Sequence, residues 1–335
     1  MKAVIHERYG SPDDLRVEDV DLPTIGDGEV LVRVRAASVN PDVWHVLAGF
    51  PYVLRLMGAG LRRPNCPVPG TDAAGIVESV GKNVTRLKPG DEVFGETVRG
   101  HQWHNGGAYA EYVAVREEAL AIKPPNVTFE QAASVATSGL IAHRALRDEG
   151  QVQSARTALI NGAGGGVGSI AVQLAKAYDT EVTGVDCVSK LHMIRSLGAD
   201  HVIDYAQEDF TRSGKRYDLV FDVPGNHSFW ACRRALTPEG RYVLIGHDHF
   251  GTAGRRVFGS VPRALGLLAL SPFVRQLSGM QGPRGLGDHL ARLREFLEAG
   301  KLTPVIDRTF SLDEVPEAIR YLRSGQAQGR IVISV

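Results

Sequence analysis

Ala158-Leu-Ile-Asn-Gly-Ala-Gly-Gly-Gly-Val-Gly168, followed by Ser169 to Tyr178, is the stretch that decides the fold of this chain. It opens on an apolar run typical of a buried strand and continues into residues rich in Ala, Val, Gln and Leu, as in a helix. Glycines between a strand and a helix permit a tight turn and let a diphosphate approach the free N–H groups of the helix N-terminus. The stretch therefore predicts a dinucleotide-binding turn; the alternative is a flexible turn that binds nothing.

The residues around this turn bear on which dinucleotide is bound. Asp186 ends the next apolar run, where a carboxylate accepts hydrogen bonds from the adenosine ribose of NAD. Ser189, Lys190 and Tyr205 lie where the 2′-phosphate of NADP would need hydroxyl donors and a cation. Both NADPH and NADH remain candidates for the bound coenzyme, with NADPH preferred. The alternatives without a role in binding are a helix N-cap for Asp186 and a solvated surface charge for Lys190. From the turn itself we predict contacts at Gly162, Ala163, Gly164, Gly165, Gly166, Val167 and Gly168.

The flanking sequence places the turn in a parallel sheet. From about Phe129 onward, helical stretches alternate with apolar runs, which is typical of βαβ units. The runs are 158–160, 181–185, 201–203, 218–221 and 242–245.

The N-terminal and C-terminal parts of the sequence have a different hydrophobic pattern. Residues 30–35 alternate Val and Arg with period two, as in a half-buried strand, and short β segments follow at 76–80 and 91–94. The tail has helices at 286–299 and 312–323 and β-like runs at 306–310 and 330–335. We therefore predict an α/β protein with a β-rich domain from 1–125 and 286–335, and a doubly wound parallel-sheet domain at 126–285.

Composition excludes several classes of protein. A chain of 335 residues exceeds the size at which single cores stop growing, and its 38 Lys+Arg balance 38 Asp+Glu, so we expect two domains and no nucleic-acid partner. Residues 1–10 carry no apolar run, and the longest one, near 265–270, is too short for a bilayer. We expect a cytoplasmic protein without a membrane partner. Its three cysteines are far apart, which argues against a disulfide framework or a zinc knuckle: Cys66, Cys187 and Cys232.

Several separated motifs, taken in order, carry a resemblance that spans the chain. They are Gly70-Thr-Asp-Ala-Ala-Gly75, Lys88-Pro-Gly-Asp-Glu-Val93, the glycine turn, and Ser196-Leu-Gly-Ala-Asp200 with Val202-Ile-Asp-Tyr205. In this order they resemble the medium-chain dehydrogenase/reductase superfamily, and within it the zinc-free quinone oxidoreductase and enone reductase branch. The resemblance implies a GroES-like catalytic domain built from both termini, an inserted Rossmann domain, and an active site between them.

The zinc alcohol dehydrogenases of the same superfamily provide a contrast. Their catalytic metal needs a Cys, a Gly-His-Glu triplet and a second Cys, and the resemblance places Asn40, Gly70-Thr71-Asp72 and Ser134 at those positions. An amide, hydroxyls and one carboxylate are poor ligands for zinc, which prefers thiolate and imidazole. Residues 95–107, where that branch holds structural zinc, contain no Cys. We therefore expect no metal.

Without a metal, the chemistry must come from positioned side chains. The resemblance makes Asn40 the residue that orients nicotinamide or substrate, with an Asx-turn before Pro41 as its alternative. Asp42 and His45 take the positions of a proton relay, with a helix-capping Asp and a surface His as the alternative. We also predict substrate contacts at Trp44 and Tyr52, whose alternative is core packing, and coenzyme contacts at Thr137 and Gly246.

Three functions remain in competition. The first is NAD(P)H-dependent reduction of a quinone or an α,β-unsaturated carbonyl. The second is metal-free alcohol oxidation or ketone reduction through Asp42 and His45, and the third is NAD(P)H sensing without turnover. Segment 247–285 has no clear period and predicts a lid or an oligomer contact. We expect a homodimer formed through the Rossmann sheet edge near Val261 to Val274, and we do not interpret His247-Asp248-His249 as a metal site.

Overall fold

The computed structural model describes residues 1–98, 104–246, 257–277 and 285–335 of the chain. These form two compact units. The first contains Met1–Ser138, Gly285–Gly300 and Pro304–Val335, and the second contains Gly139–Arg284 and Lys301–Thr303. The predicted domains follow the same order along the chain, and their limits stay predictions. None of the helices in the described ranges has the length and apolar character needed to cross a bilayer.

The strands and longer helices are numbered in chain order. The strands are β1 (Lys2–Ile5), β2 (Arg16–Asp19), β3 (Glu29–Ser38), β4 (Asp72–Val80), β5 (Glu92–Glu96), β6 (Tyr112–Arg116), β7 (Leu120–Ile122), β8 (Thr157–Asn161), β9 (Glu181–Asp186), β10 (His201–Asp204), β11 (Tyr217–Asp222), β12 (Leu236–Leu244), β13 (Ile306–Ser311) and β14 (Arg330–Ser334). The helices are α1 (Pro41–Ala48), α2 (Phe129–Arg144), α3 (Gly166–Ala177), α4 (Leu191–Ser196), α5 (Phe229–Arg234), α6 (Val261–Leu270), α7 (Leu286–Glu298) and α8 (Val315–Arg323).

The first unit is built on a mixed sheet that joins both ends of the chain. Its strands follow the order β13-β14-β3-β4-β5-β7, and β6 also pairs with β3. The period-two prediction for β3 is confirmed, since Val32 and Val34 are buried while Arg35 is exposed. The same core contains Phe310 and Ile331 from the tail. The tail strands therefore belong with the N-terminal strands, as the sequence predicts.

The second unit is a five-stranded sheet in the order β10-β9-β8-β11-β12, and every pairing in it is parallel. This is the strand order 3-2-1-4-5 of dinucleotide-binding folds, in which ligands bind beyond the carboxyl ends of the strands. Residues 158–160 of β8 are fully buried, as expected for a strand covered on both faces. The predicted α/β class with a doubly wound parallel sheet is confirmed.

One strand is longer than its sequence indicates. β12 begins at Leu236 rather than near Tyr242, because Leu236 already pairs with Tyr217 of β11. Pro238 and Gly240 lie in the register shift that follows, and the pairing resumes between Arg241 and Leu219. Proline and glycine normally mark a turn, but an edge position or a bulge tolerates both. His247-Asp248-His249 and part of segment 247–285 lie outside the described residues.

Candidate functional site

The glycine turn between β8 and α3 has the backbone geometry that the sequence predicts. Gly162 has a φ of 79°, a left-handed conformation that favours glycine. At Gly168 a Cβ atom would lie 2.0 Å from the carbonyl oxygen of Gly162, so the helix cannot approach the turn with any larger residue there. Both glycines are therefore required by the turn itself.

The N-terminus of α3 is suited to an anion. Gly165 is its N-cap, and a glycine has no side chain that could cap the free N–H groups of the first turn. A Cβ at Gly165 would meet only the oxygen of Gly162, at 3.5 Å, which leaves open space above the turn. The turn thus fits the diphosphate of a dinucleotide. Ala163 is buried, whereas Gly166 and Val167 are partly exposed.

Asp186 and Lys190 both lie against Gly164. One oxygen of the Asp186 carboxylate accepts from the Gly164 N–H at 2.8 Å and the other accepts from the Cys187 N–H at 2.8 Å. A Cβ at Gly164 would lie 2.7 Å from the Cδ of Lys190. Lys190 is buried, so its alternative interpretation as a solvated surface charge is wrong. Asp186 is not a helix N-cap either, because the short helix after β9 is capped by Cys187.

The remaining predicted coenzyme residues of this unit lie at the carboxyl ends of its strands. Ser189 is exposed in the short helix after β9, and Tyr205 follows β10 with its ring largely exposed. Since β10, β9 and β8 are neighbours, the structure brings Tyr205, Ser189 and Lys190 to the same sheet edge as the glycine turn. Gly246 follows β12, where a Cβ would lie 2.3 Å from the carbonyl oxygen of Val223.

Asn40 lies at the centre of a buried polar cluster in the first unit. Its Nδ2 donates to Thr71 Oγ1 at 2.9 Å and to Asp72 Oδ2 at 3.0 Å, while its Oδ1 accepts from Ser138 Oγ at 3.3 Å. Although it is the N-cap residue of α1, its side chain makes no capping hydrogen bond, which contradicts the Asx-turn alternative. Direct donation to a substrate carbonyl would require one of its two amide hydrogens to leave a partner.

Sequence reasoning missed the cation of this cluster. Arg330, the first residue of β14, is 3% exposed. Its Nη2 donates to Asn40 Oδ1 at 2.9 Å and to Ser38 Oγ, and it lies 3.9 Å from Asp72 Oδ2. In the sequence, Arg330 begins the apolar strand Arg330-Ile-Val-Ile-Ser334. An arginine at the start of a strand is equally typical of a solvent-exposed strand end, so the sequence did not indicate its burial.

Asp72 is the carboxylate of the cluster and is fully buried. Both of its oxygens accept from the Ser38 hydroxyl, at 2.9 and 2.8 Å, and Oδ1 also accepts from the Ser38 N–H. Tyr109 donates to the Ser38 carbonyl, and burial raises the pKa of this phenol well above its ordinary range, so it stays a neutral donor. The carboxylate is thus held by a hydroxyl, an amide and a guanidinium.

Asp42 lies in the first turn of α1, just beyond this cluster, with part of its surface reaching solvent. Desolvation by the surrounding protein raises the pKa of Asp42 to about 7, the nearby negative charge of Asp72 adds to the rise, and Arg330 opposes it. A carboxyl group with such a pKa exchanges a proton at neutral pH, which is the property that general acid catalysis requires.

The environments of His45, Trp44 and Tyr52 agree less well with the predicted roles. His45 is 1% exposed and its Nδ1 donates to the Phe50 carbonyl at 2.9 Å, so the alternative of a surface histidine is wrong. Trp44 packs on the core, and its ring lies under the guanidinium of Arg323 at 3.6 Å. Tyr52 is exposed and its ring meets Phe50 edge-on. Substrate contacts of Trp44 and Tyr52 stay predictions.

Thr137 on α2 reaches the same cluster. Its N–H donates to Asp72 Oδ2 at 3.4 Å, and its fully buried Oγ1 has no hydrogen-bond partner among the described residues. A buried hydroxyl without a partner costs free energy, so a ligand atom that supplies one is favoured there. This fits the predicted coenzyme contact at Thr137.

The groups at the positions of the zinc ligands do not fit a metal ion. The Asn40 amide donates to the side chains of both Thr71 and Asp72, and the Arg330 cation already faces the carboxylate. Ser134 donates to the Gln131 carbonyl within its own helix at 2.7 Å. Among the described residues, no group of three or more His, Cys, Asp or Glu is placed to hold a metal.

Comparison with known proteins identifies the family. Residues 26–125 match the alcohol dehydrogenase GroES-like domain, and residues 197–333 match the zinc-binding dehydrogenase family. The chain is 33% identical to 2-methylene-furan-3-one reductase of Solanum lycopersicum, over 99% of this chain and 79% of that protein. It is also 33% identical to the NADPH-dependent alkenal/one oxidoreductase of Arabidopsis thaliana, with the same coverage.

A solved structure extends this similarity to three dimensions. The quinone oxidoreductase of Coxiella burnetii is 29% identical and superposes with a TM-score of 0.82, covering 100% of this chain and 99% of that one. The expected GroES-like domain and the expected family are both confirmed. The chain belongs to the medium-chain dehydrogenase/reductase superfamily, in its quinone oxidoreductase branch.

Proposed function

We propose that this enzyme uses NADPH to reduce quinones or α,β-unsaturated carbonyl compounds and that it needs no metal. The relatives named above act on alkenals, enones and quinones, which supports this substrate class. The observation that carries the proposal is the cluster of Asn40, Thr71 and Asp72, where amide and hydroxyl groups stand in place of thiolate and imidazole ligands. Such a site must act by positioning and proton donation rather than by Lewis acidity.

The residues of the chain have separable roles in this reaction. The turn from Gly162 to Gly168 holds the diphosphate, and Thr137 and Gly246 contact the nicotinamide end. When bound, NADPH supplies a hydride to the acceptor carbon. The carbonyl oxygen of the substrate then gains negative charge, and the protonated carboxyl of Asp42 donates the proton that completes the reduction. Asn40 holds the neighbouring groups in place.

Treatment with a chelator tests the metal-free part of the proposal. We expect the enzyme, after exhaustive dialysis against EDTA, to oxidise NADPH with at least one member of a panel of quinones and enones at the rate of the untreated enzyme. Metal analysis of the same sample is the control. Loss of activity that added zinc restores would contradict the proposal, and so would the absence of any active acceptor in the panel.

The same assay separates the two alternative functions. Faster oxidation of alcohols with the oxidised coenzyme than reduction of enones would favour a dehydrogenase that uses Asp42 and His45. Tight coenzyme binding without hydride transfer would favour a sensor. The anchoring of the His45 Nδ1 to the Phe50 carbonyl, deep in the unit, speaks against a relay of protons from solvent through this ring.

The preference for NADPH over NADH rests on Lys190. The two oxygens of Asp186 already accept from backbone N–H groups, and the aliphatic stem of Lys190 lies against Gly164. A lysine ammonium makes a charge-assisted contact with a 2′-phosphate that NADH does not offer. We expect Lys190→Met to weaken NADPH binding by about tenfold, or ~1.4 kcal/mol, and to leave NADH binding unchanged.

Fluorescence titration with each coenzyme measures this effect. Lys215→Met is the matched control, because Lys215 is an exposed lysine of the same unit and its loss changes the net charge equally. Equal weakening of both coenzymes by Lys190→Met would show that Lys190 supports the turn rather than the phosphate.

We also propose a homodimer formed along the outer edge of β12, and a cytoplasmic location. β12 ends the five-stranded order, and the Tyr242 N–H donates to the Gln276 carbonyl, so the chain after α6 lies along that edge. No residue of α6 is buried, although the helix is mostly Leu and Ala, and Leu265 and Phe273 are exposed. Apolar surface next to a sheet edge favours a subunit contact.

A further inference from the structure

Arg330 is a cation buried inside the catalytic unit. Its guanidinium binds Asn40 Oδ1 and Ser38 Oγ and faces the Asp72 carboxylate, and its Nε has no hydrogen-bond partner among the described residues. Removing an ion pair from water costs several kcal/mol per ion, and a hydrophobic pair of similar volume is often equally stable. Stability alone therefore does not account for an arginine at this position.

The arginine fixes the orientation of the Asn40 amide. The amide oxygen accepts from Arg330 at 2.9 Å, which forces the amide nitrogen to face the acceptors Thr71 Oγ1 and Asp72 Oδ2. A side-chain amide in the opposite orientation would place its N–H groups against the guanidinium, where neither group can accept. Arg330 therefore determines which end of Asn40 faces the rest of the cluster.

Arg330 also supplies positive charge beside two carboxyl groups. Asp72 on β4 and Asp42 on α1 repel each other when both are ionised, and Arg330 on β14 is attracted to both. Tyr109 faces Asp72 and Arg330 as a neutral phenol, and His45 follows Asp42 on α1 with its Nδ1 turned to Phe50. Without the guanidinium, Asp42 would bind its proton more tightly.

We infer that Arg330 is a positioning residue of the reduction, which orients Asn40 and places a positive charge beside the carboxyl groups of Asp72 and Asp42 without touching the substrate. The inference rests on the proposed function in one respect only, the role of Asp42 as proton donor. Arg330 acts on both residues from β14. Its effect is therefore expected in the pH dependence of turnover more than in substrate affinity.

The pH profile of kcat tests this inference with three variants. In the parent enzyme, kcat is expected to fall as pH rises through about 7, where Asp42 loses its proton. Arg330→Gln removes the charge and keeps a polar group. In this variant the pH at which kcat falls is expected to rise by about one unit, and kcat itself is expected to drop about tenfold with little change in KM. Arg330→Lys keeps the charge but lacks the planar guanidinium. We therefore expect kcat to fall at the same pH as in the parent, while its maximum value is severalfold lower.

The matched control is Arg320→Gln, which removes an exposed arginine of the same unit that pairs with Asp13. It is expected to leave both kcat and its pH dependence unchanged. A purely structural role for Arg330 would lower activity in both variants without moving the fall with pH. A folded Arg330→Gln enzyme with the profile of the parent therefore overturns the inference, as does an Arg330→Lys enzyme with a displaced profile.

A measurement of stability makes the test independent of turnover. The gain in melting temperature of Asp42→Asn over its parent grows with pH until the carboxyl of the folded parent is fully ionised, and then it levels off. When both proteins also carry Arg330→Gln, we expect this gain in melting temperature to level off at a higher pH. If the Arg330→Gln protein does not fold, Arg330→Met takes its place. The same levelling pH in both backgrounds contradicts the inference, whereas an inactive parent enzyme contradicts only the proposed function.

Discussion

Replacing Gly168 with alanine is expected to abolish coenzyme binding and to destabilise the second unit. The added Cβ would lie 2.0 Å from the Gly162 oxygen and 2.8 Å from the Cα of Ala163, and both are backbone atoms that cannot rotate away. The start of α3 must then move away from β8, which separates the N–H groups that bind the diphosphate. We expect a loss on the order of 3 kcal/mol in stability and at least about a hundredfold in NADPH affinity.

Gly165→Ala is the matched control for this prediction. Its Cβ would meet the Gly162 oxygen at 3.5 Å, an ordinary contact, and Gly165 has a φ of −87°, which alanine adopts readily. This variant is expected to keep the parent melting temperature while it weakens NADPH binding, because the methyl group enters the space above the turn. Calorimetric melting together with coenzyme titration distinguishes the two variants. A Gly168→Ala protein with the stability of its parent would show that the turn adapts.

Replacing Asp42 with asparagine is expected to remove the proton donor. General acid groups contribute rate factors of about 10²–10⁴, so we expect kcat to fall at least ~100-fold. The decline of kcat above a pH of about 7 should disappear as well, because the group responsible for it is gone. Asp21→Asn, at an exposed aspartate of the same unit, is expected to change neither property.

The stability of Asp42→Asn should change with pH in a defined direction. Because the folded state raises the pKa of Asp42 to about 7, the folded protein keeps this proton through a range in which the unfolded chain has released it. The parent therefore loses stability as pH rises from the ordinary aspartate pKa to about 7, and asparagine avoids this loss. We expect equal melting temperatures near a pH of ~4 and a higher one for the variant above ~7. A variant that is less stable at every pH would contradict the assigned pKa.

The coenzyme turn was predictable because its determinants are local. Gly162, Gly168 and the strand and helix around them lie within one short stretch, and the chain alone specifies the turn. Asp186 and Lys190 were also predicted near it, since βαβ connections bring successive strand ends to one edge. Their burial was not predictable, because it depends on how the short helix after β9 packs over Gly164.

The buried polar cluster around Asn40 was only half predictable. Asn40 and Asp42 followed from the resemblance, but the pairing of Arg330 with Asn40 joins residues that lie 290 positions apart. Nothing local distinguishes a buried arginine at a strand end from an exposed one. The burial of His45 was likewise hidden, because one helix of eight residues does not reveal on its own which side the sheet covers.

The antiparallel pairing of β14 with β3 has a consequence for synthesis on the ribosome. β3 emerges before the segment that forms the parallel sheet, whereas β14, which carries Arg330, emerges after that segment. The intervening segment with the parallel sheet is complete well before that moment and can fold first, since domains generally fold as units during synthesis. The nascent polypeptide therefore completes the unit with the glycine turn before the unit that contains Asn40 and Arg330.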